Sequence, residues 1–398
     1  MVSKRFLITV ATVVIIAIVA IAAIYLSKGY TFSTSEKKLK GTGIITVTSL
    51  PDGASVYIDG HLTTATNATL SQLSPKTYNI KLVKEGFIAW EKNIEVKEGL
   101  VSEVKATLFP ALPTIYPLTF NGAINPILSP DSQKLAFAVP MVSDARTRQK
   151  GGIWVWTMSA QPLSLNRSAE PHQIVASNSE LDFSKATFKW SPDSKQLLIT
   201  LQQGGTTGET GLRNYLVNFE TFTSLGDLKD ITPLVVNTLK TWEEDQKTKD
   251  DIKLAIISNL KIRQIASDSA SLIWSPDESK IITGGIKQQV VSAKPTITQA
   301  PGIILKGYKV YDLLTNKDYS LPEAKAYIWL PDSRHVILVM ADKISICEYD
   351  GSNISDIFAG KFEGSDVYPW SDSSRLMVLT SFNTPTASIP NLFGINLK

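Results

Sequence analysis

Leu128-Ser129-Pro130-Asp131-Ser132, Trp190-Ser191-Pro192-Asp193-Ser194, Trp274-Ser275-Pro276-Asp277-Glu278, Trp329-Leu330-Pro331-Asp332-Ser333 and the degenerate Trp370-Ser371-Asp372-Ser373-Ser374 are five versions of one short motif. Each precedes an apolar strand-like run, such as Gln196-Leu197-Leu198-Ile199-Thr200 or His335-Val336-Ile337-Leu338-Val339. The motif has the chemistry of a turn. Proline presets φ at the second turn position, aspartate accepts a hydrogen bond from a later backbone N–H, and tryptophan packs its ring between sheets. Asp131, Asp193, Asp277 and Asp332, with Trp190, Trp274, Trp329 and Trp370, are therefore read as scaffold residues rather than metal ligands.

Five strand-turn-strand units of one type indicate a repeat architecture, and their β character selects a propeller over a helical solenoid. The motifs resemble the Ser-Pro-Asp-Gly turns of TolB-like and WD-repeat-like β-propellers over about residues 113 to 398. Successive motifs lie 62, 84, 55 and 41 residues apart. The shortest spacing fits one bare four-stranded blade of about 40 to 45 residues, so the longer ones carry insertions. Counting strands A to D from each turn places 142–151, 203–212, 286–305 and 381–390 between strands B and C, and 233–268 between D and the next A. All of these are expected on one rim. The last insertion reads as a helix over about Thr238 to Ala266, with Ile252, Ile256 and Leu260 at four-residue steps and the acidic cluster Glu243, Glu244, Asp245, Asp250 and Asp251 interrupted by lysines. It is expected to cap the rim with its apolar face down; a partner-binding helix is the other reading.

After Trp370 the sequence supplies strands B and C near Arg375–Thr380 and Leu392–Leu397, leaving none for D. Thr114 to Phe120 is the unassigned β-like segment upstream, and Pro117 suits an outermost strand, which tolerates a residue with no N–H. Blade closure from both ends of residues 110–398 is expected, giving five blades, or six if one lies within the insertions.

Residues 6–26 carry no charge and are rich in Ile, Val and Ala, long enough at about 1.5 Å per residue to span ~30 Å of hydrocarbon. They read as a transmembrane helix within residues 1–27. Lys4 and Arg5 favour a cytoplasmic N-terminus with the bulk of the chain extracytoplasmic. A cleaved signal peptide with a site near Ala20-Ile21-Ala22 is the competing reading. Residues 28–42 are polar and read as a linker. The single Cys347 allows no intramolecular disulfide.

Short β-type runs then fill residues 43–109, a small antiparallel β-domain. Pro51-Asp52-Gly53-Ala54, Val56-Tyr57-Ile58-Asp59-Gly60 and Lys84-Glu85-Gly86-Phe87 resemble the PEGA domain, with Asp52 in place of the glutamate. The fold class is thus all-β with one N-terminal transmembrane helix, comprising a β-sandwich-like PEGA domain and a β-propeller with a helical insertion. Together these resemble a single-pass bacterial envelope protein.

Enzyme chemistry finds little support. His61, His172 and His335 lack ligand spacing, and there is no Gly-x-Ser-x-Gly, His-Glu-x-x-His, P-loop or Gly-x-Gly-x-x-Gly motif. No cofactor or metal is called for, and a net charge of +3 is too small to imply nucleic-acid binding. Two functions remain: a binding or scaffold protein whose propeller rim engages an envelope protein or a cell-wall glycan, and a passive structural or assembly subunit, as the TolB resemblance implies. A propeller enzyme such as a lyase or glycosidase is a distant third. Arg146, Arg148, Lys150, Lys287 and Lys294, on the B to C insertions, are the candidate partner-binding residues and favour acidic partners.

Overall fold

The computed structural model describes residues 4–27, 30–33, 38–141, 150–158, 170–204, 210–286, 307–364, 367–381 and 389–398. They form two compact units, Met1–Leu112 with Lys398, and Pro113–Leu397.

The first unit opens with helix α1 (Lys4–Ser27). The membrane-spanning reading of residues 6–26 is corrected: among the described residues, no helix is long and apolar enough to cross a membrane. The single-pass localisation, with its cytoplasmic N-terminus and extracytoplasmic bulk, loses its basis with the span. Part of the segment read as a linker forms a ladder between Tyr30–Ser33 and Lys38–Gly41.

Two sheets follow, one ordering Ala68–Leu73, Gly43–Leu50 and Val101–Thr107, the other His61–Ala65, Ser55–Ile58, Thr77–Val83 and Trp90–Glu95. Alternate residues of Gly43–Leu50 point inward, so Ile45 and Val47 join Val56, Ile80, Leu82, Trp90 and Val104 in one core. The domain is not purely antiparallel, because Gly43–Leu50 runs parallel to Val101–Thr107. At the hairpin Asp59 and Gly60 both take positive φ, 48° and 83°, the geometry of a tight two-residue turn.

The second unit is a β-propeller. Among the described residues it has five four-stranded antiparallel sheets. Blade 1 is Ile124–Leu128, Lys134–Val139, Gly152–Thr157 and His172–Ala176; blade 2 is Thr187–Trp190, Gln196–Gly204, Thr210–Asn218 and Lys229–Asp230. Blade 3 is Ser269–Trp274, Lys280–Ile286, Lys309–Asp312 and Lys317–Ser320; blade 4 is Ala326–Trp329, His335–Val339, Lys343–Glu348 and Ser355–Ala359. Blade 5 takes strands A to C from Val367–Pro369, Arg375–Thr380 and Asn391–Asn396, and its outer strand from Ile115–Pro117. The ring therefore closes across the sequence. Thr119 cements that closure: its hydroxyl donates to Asn391 Oδ1 at 3.0 Å and accepts from Leu392 N at 2.9 Å.

Strands B bury apolar side chains on both of their faces, because each blade is covered by its neighbours. Phe137 and Leu135 of blade 1 pack with Met377 and Leu392 of blade 5, Ile153 of blade 1 packs with Leu197 of blade 2, and Ile282 of blade 3 packs with Val336 of blade 4.

The helical insertion departs from expectation in two ways. It is two helices, α2 (Val235–Ile256) and α3 (Leu260–Asp268), because the Asn259 side chain accepts from Lys261 N and Ile262 N and starts a new helix. Nor does it stay on the rim of the B to C loops. Its 22 residues carry α2 about 33 Å, past the ~20 Å of a six-residue strand, to the rim of the Pro-Asp turns, where Lys249 Nζ meets Pro192 O at 2.7 Å. All the extra sequence therefore does not share one rim.

Candidate functional site

The motif residues build the blade turns and the seams between blades. In blade 2 the Ser191 hydroxyl donates to Asp193 Oδ1 at 2.6 Å, and Asp193 Oδ1 accepts from Lys195 N at 3.2 Å. Asp131 and Asp277 make the same bonds with Ser129 and Ser275. In blade 4 leucine stands at the serine position, and Asp332 pairs with His335 Nδ1 at 2.6 Å. Ser132, Ser194, Glu278, Ser333 and Ser373 all take φ between 57° and 61°, the left-handed position that the related turns give to glycine. Two of these serines reach the neighbouring blade: Ser194 Oγ accepts from Asp131 N, and Ser333 Oγ accepts from Asp277 N, each at 3.0 Å. The tryptophans tie adjacent inner strands in the same way, Trp190 Nε1 to Ile127 O at 3.1 Å and Trp329 Nε1 to Ile273 O at 3.2 Å. Trp370 lies edge-on to Trp156 of blade 1.

The seam between blades 2 and 3 is built differently. There Glu278 replaces the serine and binds Lys253 of α2 at 2.8 Å, while the same Lys253 lies over the Trp274 ring. The two helices fill this junction. Trp242 of α2 is buried with Leu198 and Ile231 on the blade 2 side, and Ile257, Ile262 and Ala266 are buried with Ile281 of blade 3.

Between them lies a groove of about 1100 Å³. Its apolar lining includes Trp190, Trp242 and Trp274, and α2 turns Glu243, Lys247, Asp250 and Asp251 into it, opposite Lys189 of blade 2. These positions recur every three or four residues, so one helix face supplies them. Gln246 donates to Asp250 at 2.9 Å; among the described residues, Glu243, Lys247, Asp251 and Lys189 make no ion pair. The groove thus offers indole surface with charges of both signs available to a ligand. Among the described residues no group of three or more His, Cys, Asp or Glu is placed to hold a metal ion.

Of the candidate partner-binding residues, Arg146, Arg148, Lys287 and Lys294 lie outside the described residues. Lys150 is exposed, and its carbonyl accepts from Trp154 Nε1 at 2.9 Å. The sequence reading passed over Trp242 and Lys189. A tryptophan directly before the acidic cluster of that helix was the available signal for the first; a lysine on a strand gives none for the second.

Residues 42–111 match the family model described as the PEGA domain, so the first unit carries one. Comparison with curated proteins gives no match. Similar solved structures include a putative TolB from Agrobacterium tumefaciens, with 12% identity over 67% of this chain and 76% of that one and a TM-score of 0.23. Another is an oligogalacturonate lyase from Vibrio parahaemolyticus, with 10% identity over 90% and 98% and a TM-score of 0.29. TolB from Acinetobacter baumannii gives 12% over 81% and 61%, with a TM-score of 0.20. At such scores the propeller rests on this chain's own sheets and seams.

Proposed function

We propose that this chain is a non-catalytic, envelope-associated binding or scaffold protein whose propeller holds a protein or cell-wall glycan in the groove between blades 2 and 3. The groove carries this reading: about 1100 Å³ lined by three indoles and by charges of both signs, of which Lys189, Glu243, Lys247 and Asp251 make no ion pair among the described residues. Concave surfaces of mixed apolar and polar lining are where ligands bind. The envelope setting rests on the PEGA domain and on the resemblance of the blade motif.

The test incubates the full chain with polymeric cell wall and, separately, the full chain carrying a photo-crosslinker at Lys247 with envelope protein extract. Saturable retention on one of the two, weakened about tenfold or more by Lys189→Glu with Asp251→Lys, supports the reading. Retention untouched by those changes removes the groove from it, and no retention on either leaves the passive structural subunit.

A further inference from the structure

The charges that α2 turns into the groove between blades 2 and 3 follow a pattern. Glu243, Lys247 and Asp251 line it at four-residue steps, so negative, positive and negative side chains succeed one another about 6 Å apart along one helix face. All three are exposed, and so is Lys189 across the groove. None of the four makes an ion pair among the described residues, whereas elsewhere on the same helix Lys240 pairs with Glu244 and Lys253 with Glu278. A lysine one turn from a carboxylate on either side, yet bonded to neither, leaves all three groups open to a ligand.

The spacing matches an extended chain. Side chains on one face of a β-strand recur every second residue, ~6.6 Å apart. A strand laid along α2 therefore presents one side chain to each of Glu243, Lys247 and Asp251, and the complementary order is basic-x-acidic-x-basic. That order reads the same in both directions, so it does not depend on the polarity of the strand. The intervening side chains point the other way, toward blade 2, where Lys189 favours an acidic one. The part of α2 that lines the groove, from Leu239 to Leu254, is about 22 Å long, enough for about seven extended residues.

A neutral glycan matches the groove less well. It has no charges to set against these four, and the indoles give it little to stack on: Trp190 and Trp242 are 4% and 8% exposed, and Lys253 lies over the Trp274 ring. We propose that the occupant of the groove is an extended segment of a partner protein carrying basic, acidic and basic side chains at alternate positions. The proposal rests on the groove being the binding site, and it narrows what that site takes.

Fluorescence polarisation with the full chain tests it, using labelled, end-capped peptides in Gly-Ser flanks: Lys-Ala-Glu-Ala-Lys, its charge-reversed form Glu-Ala-Lys-Ala-Glu and the scramble Lys-Lys-Ala-Ala-Glu. A labelled N-acetylglucosamine oligomer stands for the glycan. The first peptide is expected to bind about tenfold tighter than the other two, with the gap closing at high salt. Lys247→Glu should weaken it about tenfold and make Lys-Ala-Lys-Ala-Lys the better ligand, with circular dichroism and melting unchanged. Equal binding of the three peptides, or binding of none, overturns the proposal. So does an unchanged order of preference in Lys247→Glu. Binding of the oligomer in place of the peptides, weakened by Lys189→Glu with Asp251→Lys, overturns it too but leaves the groove as the site. Whether the groove binds at all is read separately, from retention on cell wall or envelope extract.

Discussion

The last residue of each blade turn sits at positive φ with a side chain attached, at a cost of about 1–2 kcal/mol that glycine does not incur. Ser132→Gly and Ser373→Gly are therefore expected to stabilise the fold by a few tenths to about 1 kcal/mol, after glycine's own entropy is counted. Ser194→Gly and Ser333→Gly should gain less or lose, since each also removes the acceptor of an inter-blade bond. Urea midpoints of the four variants decide this, and equal gains at all four positions would show that the seam bonds contribute nothing. The turn aspartates also set the acid limit. The Ser191 hydroxyl, working against burial and helped by Lys195 N–H, holds Asp193 below the usual carboxylate range. For Asp332 burial pushes upward, but the bond and charge of His335 outweigh it and the net shift is down. A carboxylate depressed in the folded state contributes stability that is present above its unfolded value, near 3.9, and lost as pH falls through the folded value. The melting temperature should thus hold down to about pH 4 and then fall, with a shallower fall in Asp193→Asn. Cys347 plays no such part, because burial pushes its thiol up to about 12.

The wedge formed by α2 and α3 depends on Trp242, which is 8% exposed between Leu198 and Ile231. Trp242→Ala is expected to cost about 3–5 kcal/mol, whereas Lys240→Ala on the exposed face should cost under about 0.5 kcal/mol. Loss of both to the same extent would mean that the helix packs on another face. The blades were legible in the sequence because each repeats one turn, and a repeated Trp-Ser-Pro-Asp is explained by local chemistry alone. The outer strand Ile115–Pro117 was legible by counting, since blade 5 otherwise lacked a strand. The insertion was only partly legible. Its helical period was visible, but Ile252, Ile256 and Leu260 suggested a buried stripe, while the residues actually buried are Trp242, Ile257, Ile262 and Ala266. The four-residue spacing identifies a face and not what covers it; Asn259, which restarts the helix, turned the burial to other residues. The groove was not legible at all, because Lys189, Trp190, Trp242 and Trp274 come together only when three separate segments pack.

At the scale of the molecule, ring closure is what the first strand of the propeller provides. A chain beginning at Asn121 loses Ile115–Pro117 and the Thr119 bonds, exposing strand C of blade 5, Asn391–Asn396, as a bare edge. It should melt lower or aggregate, while one beginning at Pro110 should match the intact propeller; identical melting of the two would dismiss closure as a source of stability. Thr119→Val, which keeps the shape but removes a 1%-exposed hydroxyl bonded on both sides, should cost about 1–3 kcal/mol. Closure also imposes a timetable. Thr119 and Asn391 lie 272 residues apart, so a ribosome adding about 5–20 residues per second makes the outer strand roughly 15–50 s before its partner. During that wait four blades can fold in order while Ile115–Pro117 remains an unpaired edge. A strand of three residues ending in proline offers little for a wrong neighbour to pair with. The brevity of that strand therefore serves the nascent chain as well as the finished ring.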